Sequence, residues 1–289
     1  MSKSPQEMVK EFEMPMKRLG DVSTDLNSRP LACGFPSLEA SMFLRFRQPD
    51  LVIVAGRPGS GKTAWLGQVA LNTSRMSGPA LLFSLEMSNS QLKNRLLALE
   101  TNKAVDVIKE LSANEQAVLE RKLNDAALYI DDSPGIDIAT LCSRAVSLYK
   151  EKPGLEAVFV DYIQIVQTLR ARSKKEEIAR VCEELKYLAK EIKRPVIALA
   201  QMSREYEKRV ADADSPNEVT PVMSDLADSS DIEKWADMIA FIHRPCMYDK
   251  NCRPGEADFV VVKNRHGEPV TSNFTFSKHI TKFFDQGGL

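Results

Sequence analysis

"LVIVAGRPGSGKT", residues 51–63, decides how the chain folds. Leu51 to Ala55 are apolar without a break and read as a strand buried on both faces. Gly56, Gly61, Lys62 and Thr63 then fit the spacing G-x-x-x-x-G-K-[ST], and "KTAWLGQVALNT" (62–73) continues as a helix. Strand, glycine-rich turn and helix in that order make a phosphate-binding loop. The glycines let backbone N–H groups turn inward around phosphate oxygens, and the helix N-terminus adds partial positive charge. Gly56, Arg57, Pro58, Gly59, Ser60, Gly61, Lys62, Thr63 and Ala64 form the expected nucleotide-binding stretch. Lys62 reaches the β- and γ-phosphates and the Thr63 hydroxyl ligates Mg²⁺, so ATP and Mg²⁺ are the expected cofactors.

Working outward, short apolar runs recur at 80–85, 128–131, 157–161, 195–200, 238–242 and 258–262. They read as further doubly buried strands. Helical patterns lie between several of them. Ile178, Val181, Cys182, Leu185, Leu188, Ala189 and Ile192 make one apolar stripe, and Ser112 with Glu115 makes a capping box. Strands alternating with helices predict an α/β fold, a mostly parallel twisted sheet with helices on both faces. "VTSNFTF" (270–276) alternates and predicts a C-terminal antiparallel strand. The polar stretch 209–225 reads as a long loop.

Several strands end in chemistry. "AVFVD" ends at Asp161, which puts a carboxylate where α/β sheets bind ligands, and so a second metal anchor beside Thr63. Glu86 follows "LLFSL" at a strand tip, either simply solvated or placed to activate water. Gln201 closes "PVIALAQ" as a candidate γ-phosphate sensor, the alternative being a plain polar strand end.

Bulk composition narrows the setting. The chain has 289 residues, 43% hydrophobic and 27% charged, as in an ordinary soluble domain. A formal net charge of −1 gives no global basic field, so any nucleic-acid contact must come from local patches. Five cysteines, an odd and scattered set, fit reduced thiols and a cytoplasmic setting. No signal peptide or membrane span is legible. Residues 1–30 are polar, with Met8, Phe12, Met16 and Leu19 at near-helical spacing and a break at Pro15. They read as a frayed terminus or as an arm, with one domain expected over 31–289. His243, Cys246 and Cys252 lack the spacing of a zinc site.

Seven segments occur in an order that resembles the motor domain of DnaB-type replicative helicases: "GRPGSGKTAW", "FSLEMS", "YIDDSPGI", "VFVDYIQIV", "VIALAQMSR", "MSDLADSSDIEKWADMIAFIHR" and "VVKNRHG". The resemblance spans roughly residues 31–285. It implies a RecA-like P-loop ATPase that forms a hexameric ring and moves 5′ to 3′ on single-stranded DNA in bacterial cytosol or a phage-infected host. A primase or a helicase loader would be a further partner. It makes Glu86 the catalytic glutamate, Asp161 the Walker B carboxylate and Gln201 the coupling glutamine. It also makes Lys263 and Arg265 cations that reach the neighbouring subunit's γ-phosphate, with Arg265 as arginine finger. An arm at 5–19 would match the family's linker helix.

Two departures stand against the resemblance. The family's DNA-backbone segment, usually D-[LIV]-R-E-S-G, here reads "DLADSS": Ala227 replaces the arginine, Asp228 the glutamate and Ser230 the glycine. The family's N-terminal domain is also replaced by a short arm, which suggests a trimmed chain or a phage-like or accessory relative. Arg170, Arg172, Lys174 and Lys175 in "RARSKK" could still contact DNA phosphates, as could backbone N–H groups at Asp228 and Ser230. The expected function is therefore a replicative helicase motor with ATP hydrolysed between subunits. The alternatives are a regulatory or scaffold ATPase that binds a protein partner, and a filament-forming recombination ATPase.

Overall fold

The computed structural model describes residues 31–40, 46, 49–169, 171–213, 219–227, 229–248 and 252–286. The expected arm at 1–30 lies outside them. Strands are numbered in chain order: β1 (Leu51–Gly56), β2 (Ala80–Ser84), β3 (Leu128–Asp131), β4 (Ala157–Asp161), β5 (Val196–Gln201), β6 (Met238–His243), β7 (Glu256–Asn264), β8 (Val270–Ser277) and β9 (Lys282–Asp285). They form one sheet in the order β3-β2-β4-β5-β1-β6-β7-β8-β9. The first six strands in that order run parallel, and β7, β8 and β9 follow antiparallel.

Helices cover both faces: α1 (Pro36–Ala40), α2 (Lys62–Met76), α3 (Asn89–Thr101), α4 (Val105–Glu110), α5 (Ala113–Glu120), α6 (Ile138–Glu151), α7 (Lys174–Ile192), α8 (Glu205–Ala211) and α9 (Ser229–Trp235). Strand β1 shows how sequence produces the layering. Successive side chains point to opposite faces. Ile53 joins the core under α6 and α7, while Val54 joins the core under α2 and α3, and both are fully buried. On the second face Trp65 stacks on Phe259 with ring centroids 5.1 Å apart.

The stripe read from sequence is the buried face of α7, all seven residues at most 2% exposed. Burying each of its Leu and Ile side chains is worth roughly 1.5–3 kcal/mol. Lys186 interrupts that stripe, and a charged group only 7% exposed demands a partner. Its Nζ donates to Asp237 at 2.5 Å and to the Pro49 carbonyl at 2.8 Å. The capping box forms as expected, Ser112 accepting from the Glu115 backbone and Glu115 reaching back.

Two expectations change and one strand is added. β3 is only half-buried, because it is the edge strand with a neighbour on one side. β9 was not legible as a strand, since "KFFD" is too short to show a period. The stretch 209–225 is not wholly loop: it starts in α8 and ends in a 3₁₀ turn at Met223–Asp225, and Arg209 ties the two by pairing with Asp225. Residues 214–218 lie outside the described set. All five cysteines are free thiols. No helix among the described residues is long and apolar enough to cross a membrane.

Candidate active site

The C-terminal ends of the parallel strands meet at one edge of the sheet, where α/β folds bind ligands. In register Gly56 lies beside Gln201, and Ser84 beside Asp161. Motif residues far apart in the chain thus arrive at one edge because the strands are parallel and aligned. Glu86 sits two residues beyond the end of β2, on a bend and not at the strand tip itself.

The phosphate loop needs its glycines for two separate reasons. Gly61 has φ 102°, the left-handed region, and a Cβ there would lie 3.0 Å from the Phe283 ring and 3.1 Å from the Phe276 ring. Those rings are already stacked, 4.3 Å between centroids, and cannot both retreat. At Gly56 a Cβ would meet the Ile242 carbonyl oxygen at 2.9 Å. Gly61→Ala should therefore lower the unfolding free energy by about 2 kcal/mol or more. A urea midpoint that falls at unchanged slope would show it; an unchanged midpoint would contradict this packing. With glycine as its N-cap, α2 begins without a side-chain cap, and its first-turn N–H groups are suited to an anion.

Lys62 lies against the loop, its Nζ donating to the Gly56 carbonyl at 2.7 Å and the Arg57 carbonyl at 3.1 Å. Burial pulls its pKa down to about 8, with the charges of Asp161 and Glu86 resisting and Arg57 assisting. The ammonium is still mostly protonated at neutral pH. Asp161, 3% exposed, is pushed up to about 6 by burial. A hydrogen bond from Thr63 lowers it, the Glu86 charge raises it, and Lys62 and Arg95 lower it. A buried carboxylate, a hydroxyl bonded to it and a second carboxylate nearby form an all-oxygen, electron-rich set. That chemistry fits a hard divalent cation such as Mg²⁺.

Arg57 staples the loop to the next elements. Its Nη1 donates to the Met202 carbonyl at 3.2 Å and its Nη2 pairs with Glu207 of α8. Gln201 donates its backbone N–H to Gln164 at 3.2 Å. The strand then continues into contact with the 223–227 segment: Met202 bridges Leu226, and Ser203 N–H donates to the Asp225 carbonyl at 2.7 Å.

An open cleft of about 390 Å³ lies over the loop. Glu86 and Gln201 line it as the sequence suggested, and Tyr162, next to Asp161 in the chain, lines it too. Arg95, Lys278 and Thr281 complete its walls and were missed. Arg95 belongs to an ordinary-looking helix, and the other two lie in the turn of the β8–β9 hairpin, whose docking against α2 has no sequence signature.

Lys263 and Arg265 are not at this edge. β7 is antiparallel to β6, with Asn264 opposite Met238, the first residue of β6. They therefore lie at the far end of the sheet, about 17 Å of strand away from the P-loop edge. Arg265 is held within its own protomer, Nη1 to Asp237 at 3.0 Å and Nη2 to the Lys234 carbonyl at 3.0 Å, with 48% of the side chain exposed. Lys263 Nζ donates to the Glu233 carbonyl.

The basic stretch is not a free loop throughout. Lys174 and Lys175 form the first turn of α7, capped by Ser173, and pair with Glu177 at 2.7 Å and Asp231 at 3.6 Å. Arg172 is described and Arg170 is not. Ser230 is exposed in α9, while Asp228 lies outside the described residues. His243 is buried, its Nδ1 3.3 Å from the Tyr206 hydroxyl. No cluster of three or more His, Cys, Asp or Glu suited to a metal occurs among the described residues.

Comparison with known proteins converges on one group. A family model for the DnaB-like helicase C terminal domain matches residues 30–285. Replicative DNA helicase DnaC of Bacillus subtilis (strain 168) is 34% identical over 96% of this chain and 61% of its own length. A probable replicative DNA helicase of Trieres chinensis is 33% identical over 88% of this chain and 57% of its own. The chain thus spans about three fifths of the curated relatives it matches. Among solved structures, an isolated ATPase domain superposes with a TM-score of 0.80 at 26% identity, covering 97% of both chains. A DnaB-like replicative helicase, solved for its interactions with primase, gives 0.81 at 27% identity over 96% of this chain and 70% of the other.

Proposed function

Because the chain belongs to the DnaB-like helicase C-terminal domain family, with the RecA-like α/β fold of its nucleotide-using ATPase domains, we propose that it is an ATP-driven motor on single-stranded DNA. It works as a ring, hexameric by family likeness, with ATP at each subunit interface and movement 5′ to 3′. A primase is a candidate partner, since one solved relative was determined for its interactions with primase.

One observation carries this reading. The phosphate loop, Glu86, Asp161 and Gln201 share one edge of the sheet, while Lys263 and Arg265 occupy the opposite edge. At that separation Lys263 and Arg265 cannot reach the phosphate loop of their own chain, so they are available only to the pocket of a second copy.

Each residue then has a task. The loop N–H groups and Lys62 hold the triphosphate. Thr63 and Asp161 would hold Mg²⁺, which when bound neutralises charge on the phosphate oxygens. Glu86 orients the attacking water and accepts its proton. Gln201 lies at the strand end beside Gly56 and senses the γ-phosphate. Its successor Met202 bridges Leu226, so a shift there moves the segment that contacts DNA in the family. Arg172, Lys174, Lys175 and the N-terminal turn of α9 at Ser230 face DNA phosphates. Ala227 supplies no cation, so this grip is weaker than an arginine would give.

The test is ATP hydrolysis with and without single-stranded DNA across a salt series. The reading predicts several-fold stimulation that fades as salt rises. Equal rates with and without DNA at low salt would overturn the motor and leave a nucleotide-controlled scaffold.

A further inference from the structure

Asp237 precedes β6 at the sheet edge opposite the phosphate loop and is 4% exposed. Its two carboxylate oxygens have separate partners. Oδ2 accepts from the Leu51 N–H at 2.8 Å and from Lys186 at 2.5 Å. Oδ1 accepts from Arg265 Nη1 at 3.0 Å. Lys186 alone would compensate the buried charge, so the bond to Arg265 is additional to what burial requires.

Arg265 is fixed at both ends. Its backbone N–H donates to the Asp237 carbonyl at 2.9 Å, and its Nη2 donates to the Lys234 carbonyl at 3.0 Å, near the C-terminal end of α9. A guanidinium has five N–H donors in a rigid fork. Asp237 and Lys234 engage two of them, and half the side chain stays exposed. The fork is therefore oriented through both terminal nitrogens while part of the side chain faces solvent. A free arginine would lose its rotamer entropy each time it engaged a phosphate, whereas an anchored one has lost most of it already.

We propose that Asp237 is a positioning residue for Arg265, holding the guanidinium in the orientation that presents its remaining donors to the next subunit's γ-phosphate. Lys186 holds Asp237 in place from the other side. This inference rests on the reading of Arg265 as a cation acting in trans.

The test is a cycle of Asp237→Asn, Arg265→Ala and the double variant. Steady-state ATP hydrolysis is measured with single-stranded DNA, with affinity for a fluorescent ADP analogue measured alongside. Asp237→Asn should lower kcat by between about 10- and 100-fold with KM and ADP affinity unchanged. In the Arg265→Ala background it should cause no further loss. An unchanged kcat in Asp237→Asn overturns the proposal, as does an equal loss in both backgrounds. If Arg265→Ala itself hydrolyses like wild type, the trans-acting arginine has failed and this inference falls with it. Should Asp237→Asn not fold because Lys186 is left as an uncompensated buried charge, Lys186→Met/Asp237→Asn removes both charges together and is read in the same cycle.

Discussion

Replacing Glu86 with glutamine is expected to lower ATP hydrolysis by roughly 10²–10⁴-fold while nucleotide still binds. The substitution keeps size and shape and removes only the ability to take a proton. Glu86 lines the cleft beside the phosphate loop, and its charge is felt by both Lys62 and Asp161. Two secondary consequences follow from those couplings. Lys62, already pulled down to about 8, loses one of the charges that resist burial and falls further. Asp161, pushed up to about 6, loses a repelling neighbour and drops. Both effects are smaller than the loss of the base. Phosphate release in single turnover, set against the affinity of a fluorescent ATP analogue, separates them. Hydrolysis within a few-fold of wild type would remove Glu86 from the chemistry.

Arg265→Ala is expected to cost ~10³–10⁵ in hydrolysis rate by the assembled protein, about 4–7 kcal/mol of transition-state stabilisation. Affinity for ADP should be nearly unchanged, because the cation acts on charge that develops at the γ-phosphate. The size of the effect depends on geometry that cannot be satisfied within one chain. Asn264 pairs with Met238 at the start of β6, whereas Gly56 and Gln201 close the opposite edge. Lys263→Ala should cost less, since an ammonium is a single point charge without the guanidinium fork.

Much of this architecture could be read from the chain. β1 and the phosphate loop were legible because a fully buried parallel strand is a continuous apolar run, and the loop has a fixed spacing. The α7 stripe was legible because helical period and burial agree at all seven positions. Asp161 and Gln201 were legible because each closes such a run. What escaped depends on how distant elements dock. Arg95 faces the cleft only because α3 packs beside α2, and Lys278 and Thr281 arrive there through a terminal hairpin. The buried role of Lys186 had no sequence signature, because its partner Asp237 lies 51 residues further along the chain. Where Lys263 and Arg265 lie relative to the phosphate loop was not legible, because it depends on β7 pairing antiparallel to β6, which puts them at the far edge of the sheet. The segment 209–225 looked like loop because its polar residues hide a short helix that the Arg209–Asp225 pair closes.

A two-variant mixing experiment tests the shared pocket most directly. Lys62→Ala protomers lose the triphosphate but keep Arg265, and Arg265→Ala protomers keep the pocket but lack the cation. Each alone should be nearly inactive. In an equal mixture about a quarter of the head-to-tail interfaces join an intact pocket to an intact Arg265. The account predicts that ATP hydrolysis reappears in the mixture well above the sum of the two parents. A mixture no more active than its separate parents, although the two variants are shown to co-assemble, would contradict it.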